Sequence, residues 1–449
     1  MSTLTNRAEP RASHLVLFKR RSERNEQALV AVTHAERAMT AGASAGVLTY
    51  RRKGDVDATS SEQPPVTVRL FRSLAVAAAT LTPREAEVLR ADDAVEDVVV
   101  NALRAIPRPV EPAPAEPGAS VQEAYLRGLR DAADLALRQM RGFDEVPAQE
   151  PGPRAAAMPQ AGHSWALEMI GVGADKAFTG EGVRVAVLDT GLDFTHPDFR
   201  DRDILSRSFI EGVASAQDGN GHGPHCCGIV AGPVQPHRGP RYGVAPDVEL
   251  IVGKVLDDSG SGYDDGIAEG IQWAYDAGAQ IISLSLGSAR QINGTHSRLY
   301  ESLAAPLLIG QDGERTALLI AATGNESQRP RTRRPVGNPA ACPSIMGVAA
   351  VDRSGIVAPF SDCQLDPIGT VDLAAPGVRV HSSWTGGGYW SESGTSMACP
   401  HVSGVAALYL EKSPALSAQA LWAALSASAK PIGSYVDVGH GLVQAPAYP

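Results

Sequence analysis

VELIVGKVLDDSGSGYDDGIAEGIQWAYDAGAQIISLSLG, residues 248–287, decides the architecture of this chain. Two near-continuous apolar runs, VELIVGKVL at 248–256 and IISLSL at 281–286, flank YDDGIAEGIQWAYDAG at 263–278, which reads as a helix. Runs without polar alternation are strands buried on both faces, as in a parallel sheet covered by helices. Parallel neighbours need a crossover of a dozen or more residues, and the helix supplies it. VRVAVL at 183–188 and ALLIAA at 317–322 repeat the pattern on either side. Residues 162–449 are therefore expected to form a doubly wound, mostly parallel α/β domain, with ligands bound beyond the carboxyl ends of its strands.

Upstream the pattern changes. Residues 1–13 read as a disordered N-terminus. Over 14–106, LVLFK at 15–19 reads as a strand, RNEQALVAVTHAERAMTAGA at 24–43 as a helix and VTVRLFRSL at 66–74 as a strand. Thr82-Pro83-Arg84-Glu85 places an N-cap, a first-turn proline and a capping-box glutamate before AEVLRA. VEDVVVNAL at 95–103 closes the segment as a β-rich run. Strand–helix–strand twice over predicts a small α/β, ferredoxin-like domain. Residues 107–161 read as a linker, rich in Pro, Ala, Glu and Gly at 107–119 and 144–161. Between these lies an amphipathic helix, 120–141, opened by a Ser120–Glu123 capping box.

Composition excludes some function classes. A net charge of −10 argues against nucleic acid as the main partner, because phosphate binding needs a basic surface. No run approaches about 18 apolar residues, so no membrane span is expected. The first twenty residues lack the apolar segment of a secretory signal. With five cysteines, an odd number, the expectation is reduced thiols in a cytoplasmic protein, with secretion as the alternative.

Three strings sit at strand ends or helix starts, where such a fold places chemistry. Asp189 follows the 183–188 run in VAVLDTGLD and reads alone as a turn aspartate or as a carboxylate that orients an imidazole. His222 stands among glycines in DGNGHGPHCCGIVAG, and Ser396 opens an apolar helix in SESGTSMACPHVSGVAALYL. Alone, these two read as a structural histidine and an N-cap serine. Together, DTGLDFTHPD, GHGPHCCGIVAG and SGTSMACPHVSG resemble the three signatures of the subtilisin-like proteases, in the order Asp, His, Ser. Further similar strings extend the resemblance over about 165–443.

The resemblance implies a serine endopeptidase that works through an acyl-enzyme. Asp189 would orient His222, His222 would take the Ser396 proton, and Asn325 in TGNES would donate to the oxyanion with the Ser396 backbone N–H. It implies that an extended peptide lies between two edge segments, Gly260-Ser261-Gly262 and Ser285-Leu286-Gly287. Ser285–Gly287 and Ala322-Thr323-Gly324 would wall the first subsite. A broad or apolar preference follows, with the arginine-rich 329–334 loop favouring an acidic side chain as the alternative. Asp193, His196, Asp198, His225 and His401 match structural positions, and Cys226 matches a buried thiol of one branch. No metal or other cofactor is expected. Calcium is possible by family analogy, but the 233–242 loop offers too few of the oxygens that ion prefers. Residues 14–106 resemble the family propeptide, which implies a zymogen whose own N-terminal domain is its inhibitor, with the segment after Asn101 in the groove and a cut within 102–161. The implied partners are protein or peptide substrates, with neither nucleic acid nor membrane.

Overall fold

The computed structural model describes residues 12–19, 27–28, 35–37, 47–52, 67–71, 75–107, 162–173, 178–310 and 314–447. The expected helix at 120–141 and residues 1–11 of the expected disordered start lie outside these residues; residues 12 and 13 of that start are instead strand, Ala12 paired with Leu81 and Ser13 with Thr80.

The N-terminal part is one antiparallel sheet. Its strands are β1 (Ala12–Phe18), β2 (Ala35–Arg37), β3 (Val47–Arg52), β4 (Thr67–Phe71), β5 (Val76–Leu81) and β6 (Val95–Val100), in the order β2-β3-β4-β5-β1-β6. The β4-β5-β1-β6 portion, with helix α1 (Pro83–Arg90) between β5 and β6, has the ferredoxin-like order. The α1 capping box forms as read: the Thr82 hydroxyl accepts the Glu85 N–H at 3.2 Å, and the Glu85 carboxylate accepts the Thr82 N–H at 2.8 Å. Alternation along the strands divides two cores. Val16, Phe18, Val68, Leu70, Ala77, Ala79 and Leu81 pack with Ala86 and Leu89 of α1. Leu15, Leu17, Phe71, Val76 and Ala78 face the other way and join the core of the C-terminal domain.

One sequence reading needs correction here. The helix over 24–43 does not hold at 35–37, which pair with Tyr50–Arg52 as β2. Ala-Glu-Arg favours a helix locally, but strand pairing with a distant segment overrides so weak a preference. The alanine-rich β5 also went unread as a strand, although it lies inside the sheet between β1 and β4.

A short strand, β7 (Leu103–Ala105), leads into the large domain. There β8 (Arg184–Asp189), β9 (Leu205–Ser208), β10 (Glu249–Lys254), β12 (Ile281–Leu284), β13 (Leu318–Ala322), β14 (Met346–Val351) and β15 (Leu373–Pro376) form a seven-stranded parallel sheet. The edge strand β11 (Ser261–Tyr263) belongs to a separate pair. β16 (Val380–Trp384) and β17 (Gly388–Glu392) form a hairpin. Around the sheet lie α2 (His222–Ala231), α3 (Asp264–Asp276), α4 (Arg298–Ile309) and α5 (Thr395–Lys412).

The sheet order is β15-β14-β13-β12-β8-β10-β9. From β8 the chain runs to the edge strand β9, returns to β10 beside β8, and then crosses to β12 on the other side of β8, so the winding reverses at β8 and β12. Ligands bind at such a reversal, and Asp189 is the last residue of β8. Every residue of β13 is buried. At about 1.5–3 kcal/mol per buried aliphatic side chain, β13 is a rigid mount for Asn325, three residues beyond its end.

Candidate active site

Asp189 and His222 meet because two backbones approach closely. A Cβ at Gly223 would lie 2.2 Å from the Gly191 carbonyl oxygen, so only glycine lets the start of α2 reach the turn after β8. His222 Nδ1 then lies 2.8 Å from Asp189 Oδ1 and 3.0 Å from Oδ2. Both side chains are buried. Burial lowers the His222 pKa, but the Asp189 carboxylate more than offsets that, and the net direction is upward from the ordinary imidazole value. Nε2 is buried and has no hydrogen-bond partner among the described residues.

Ser396 stands in the first turn of α5, and its hydroxyl donates to the Ser285 carbonyl at 3.4 Å. The Ser396 carbonyl accepts the Ser285 hydroxyl at 2.8 Å and the Cys226 thiol at 3.5 Å. His222, Ser396, Asn220, Trp384 and Glu392 line one cavity, which Ile106 and Pro107 also line.

Asn325 is oriented by Thr395. Its Oδ1 accepts both the Thr395 N–H and the Thr395 hydroxyl at 2.9 Å, which turns the amide nitrogen toward the cavity. That nitrogen donates to the Pro107 carbonyl oxygen at 2.6 Å.

The segment before Pro107 lies between the two edges. Leu103–Ala105 pair antiparallel with Ser261–Tyr263, Arg104 standing opposite Gly262. The Ala105 N–H donates to the Gly287 carbonyl at 3.3 Å, and the Gly287 N–H returns the bond at 3.0 Å. The Ile106 N–H donates to the Gly260 carbonyl at 3.0 Å. Gly260 has φ +84°, and a Cβ there would lie 2.7 Å from Ile106 Cδ1. Leu286 is buried beneath this edge. The peptide-gripping strings thus hold a piece of the chain itself.

Ala322, Thr323 and Gly324 are placed beside Thr395, whose hydroxyl accepts the Gly324 N–H at 3.2 Å. Two carboxyl groups stand behind Gly324: a Cβ there would lie 2.5 Å from Asp362 Oδ2 and 2.6 Å from Glu326 Oε2. Burial, and then the Glu326 carboxylate, push Asp362 up to about 9. In the arginine-rich loop, Arg329 is paired with Asp437 at 2.6 Å, while Arg334 lines a cavity together with Glu326 and Asp362.

The neighbouring histidines are engaged elsewhere. His225 Nε2–H donates to the Val380 carbonyl at 2.9 Å, and burial lowers the pKa of this histidine to about 3. His401 bonds to Met397 O at 2.8 Å, with its pKa lowered by burial to about 4. His196 bonds to Gly388 O at 2.8 Å. Asp193 accepts from Thr195 and the Gly387 N–H.

Calcium does not fit at Asp198. Its Oδ1 accepts the His237 N–H at 2.7 Å, and its Oδ2 accepts the hydroxyls of Tyr242 at 2.6 Å and Tyr389 at 2.9 Å. Three donors occupy the carboxylate that a hard cation would need.

The sequence reading passed over several supporting residues. The Asp218 carboxylate accepts the Asn220 and Gly221 N–H groups at 2.8 and 2.5 Å, and the Thr190 hydroxyl at 2.5 Å. The Thr190 hydroxyl in turn accepts the Gly223 N–H at 2.8 Å. An aspartate opening a DGNG turn is a legible signal for the first of these contacts. Thr395 carries no comparable signal.

Among known proteins, the chain matches the subtilase family over residues 180–441. It is 40% identical over 272 residues to alkaline elastase YaB of Bacillus sp. (strain YaB), covering 61% of this chain and 66%, just under two thirds, of that one. It is 39% identical over 273 residues to subtilisin Savinase of Lederbergia lenta, covering 61% of this chain and 93% of that one. A crystal structure of a cold adapted subtilisin-like serine proteinase superposes with a TM-score of 0.53 at 30% identity, over 64% of this chain and all of the other. No described helix is long and apolar enough to cross a membrane. Fold, site geometry and relatives agree: the chain belongs to the subtilase family and is a subtilisin-like serine protease.

Proposed function

We propose that the protein is an endopeptidase made with its own inhibitor. His222 takes the Ser396 proton as the hydroxyl attacks a peptide carbonyl, then delivers it to the departing amine. Asp189 holds His222 in the tautomer that leaves Nε2 free to accept, and Asn325 stabilises the oxyanion with the Ser396 N–H. Residues 14–106 serve as the intramolecular inhibitor, and the bond they present is Pro107–Arg108. The observation that carries this reading is the Asn325 contact to the Pro107 carbonyl, with residues 103–106 bonded to both edges.

Contacts around the groove support it. Arg69 forms ion pairs with Asp265 and with Glu269 (2.9 Å) on α3. The Asn101 side chain accepts the Asp265 N–H at 3.0 Å, and the Ala102 carbonyl accepts the Asp264 N–H at 2.9 Å, so the inhibitor caps the helix beside the groove.

A second reading, a latent enzyme that stays whole until triggered, is favoured by one observation. Pro107 has no N–H to give the Ser285 carbonyl, and Ser396 donates there instead of to His222. Intact mass over time for the wild type beside Ser396→Ala separates the two readings. Shortening of the wild type alone, at 107–108, supports self-processing. Two stable chains, with Ser396 still labelled by a fluorophosphonate, support latency, and a Ser396 that never labels removes both. All five cysteines are buried and unpaired, which suits a compartment where thiols stay reduced.

A further inference from the structure

Arg104 lies three residues before Pro107, so in a peptide bound in the same register it is the fourth residue on the amino side of the scissile bond. Its guanidinium meets a purpose-shaped partner. Nε donates to Asp264 Oδ1 at 2.6 Å and Nη2 to Oδ2 at 2.8 Å, a bidentate pair. Nη1 donates to the Ser288 hydroxyl at 2.5 Å, and the Tyr300 ring lies 5.7 Å from Cζ. Asp264 is 2% exposed and also accepts the Tyr300 hydroxyl at 2.8 Å. We infer that this subsite selects arginine at the fourth position before the cleaved bond, with Asp264 as the specificity-determining residue.

The inference rests on the reading that substrates follow the path of residues 103–107. Asp264 belongs to the catalytic domain and remains when that segment leaves. Of the side-chain donors just described, the departing segment removes the guanidinium, leaving the Tyr300 hydroxyl on a carboxylate that is buried while the segment is bound. Seating any other side chain over that carboxylate shields it from water again without returning its counterion, which is strongly unfavourable. An incoming arginine restores the pair, a lysine restores one contact with a point charge, and leucine restores none. Glutamate sets like charges together. The neighbouring contacts carry no such demand: Ile106 packs against Gly260, and Ala105 is held through its backbone.

The test uses the full chain and four fluorogenic peptides that differ only at the fourth position: arginine, citrulline, leucine and glutamate. The expected order in kcat/KM is arginine well ahead of citrulline and leucine, by about tenfold to a few hundredfold, with glutamate last. In Asp264→Asn the arginine-to-leucine ratio falls toward one. Equal cleavage of arginine and leucine peptides by the wild type overturns the inference, as does an unchanged ratio in Asp264→Asn. A second readout needs no turnover. In the Ser396→Ala chain, trypsin cleavage after Arg104 is slow, and Asp264→Asn or Tyr300→Phe accelerates it, the former by at least about tenfold. Protection of Arg104 that ignores Asp264 overturns the pocket's hold on arginine. Peptides left uncut, with Arg104 protection dependent on Asp264, support the pocket's hold on arginine and point to the latent reading over self-processing.

Discussion

The side-chain amide of Asn325 holds the carbonyl oxygen of Pro107 at 2.6 Å. The donor is aimed by Thr395 and mounted beyond a fully buried strand, so it is fixed before any substrate arrives. Preorganised donors of this kind stabilise charge as it develops without reorganising at the moment of reaction.

Asn325→Leu removes that donor at similar size. The expected result is a fall in kcat of about 10²–10³, with KM changed by only a few fold. Steady-state kinetics on one peptide substrate checks it. A fall carried mainly by KM would make Asn325 a binding residue.

Pro107→Ala gives residue 107 the N–H that proline lacks, free to donate to an edge carbonyl. Self-cleavage after residue 107 should quicken by about tenfold, the order expected for one added hydrogen bond of about 1.4 kcal/mol. Mass spectrometry of freshly purified chain against time reads the rate directly. An unchanged rate would place the slow step elsewhere.

The pH dependence follows from His222. Its pKa is raised because the pull of Asp189 exceeds the effect of burial. Catalysis needs the neutral imidazole, so kcat/KM falls as pH drops through a value above the ordinary 6.5 or so. Stability runs the other way. A raised folded value means the imidazolium–carboxylate pair contributes fully below the unfolded value and is lost as pH rises through the folded one. Thermal unfolding and peptide hydrolysis, measured over the same pH series, should therefore shift in opposite directions at this step. Asp189→Asn should abolish both effects.

Cys226 touches His222 Nδ1 at 3.8 Å and is fully buried. Burial, and then Asp189, push its pKa well above the ordinary thiol value, so thiolate is scarce at neutral pH. Iodoacetamide should leave activity unchanged, whereas a mercurial that reaches the site should inhibit, and Cys226→Ala should resist it. Inactivation of Cys226→Ala by the mercurial would point to another thiol.

At Asp198, Tyr242→Phe removes one of three donors from a buried carboxylate. A loss of about 1–3 kcal/mol is expected, and added calcium should not restore it. Recovery of the melting temperature by calcium would show that the site accepts a cation once a tyrosine is withdrawn.

What the sequence disclosed followed distance along the chain. The strands around Asp189 and Asn325 were legible because apolar runs report burial on both faces, and the α1 cap because its signal spans four residues. β2 was not, since Ala35–Arg37 become a strand only by pairing with Tyr50–Arg52. The strings with Asp189, His222 and Ser396 were legible by resemblance, each being ordinary alone. In the sequence Asp264 reads only as part of the 263–278 helix. Its partner lies 160 residues away in sequence, and only the register of β7 on β11 brings them together. Pro107 was unplaced for the same reason.

The strand that Leu103–Ala105 adds to β11 has a kinetic consequence. While residue 107 is joined to residue 108, this occupant competes as part of the same molecule, at an effective concentration on the millimolar scale that no dilution lowers. Once the bond is cut, its rebinding becomes a second-order event. Latency then depends on how crowded the solution is, and a dilute sample would switch on where a concentrated one stays silent.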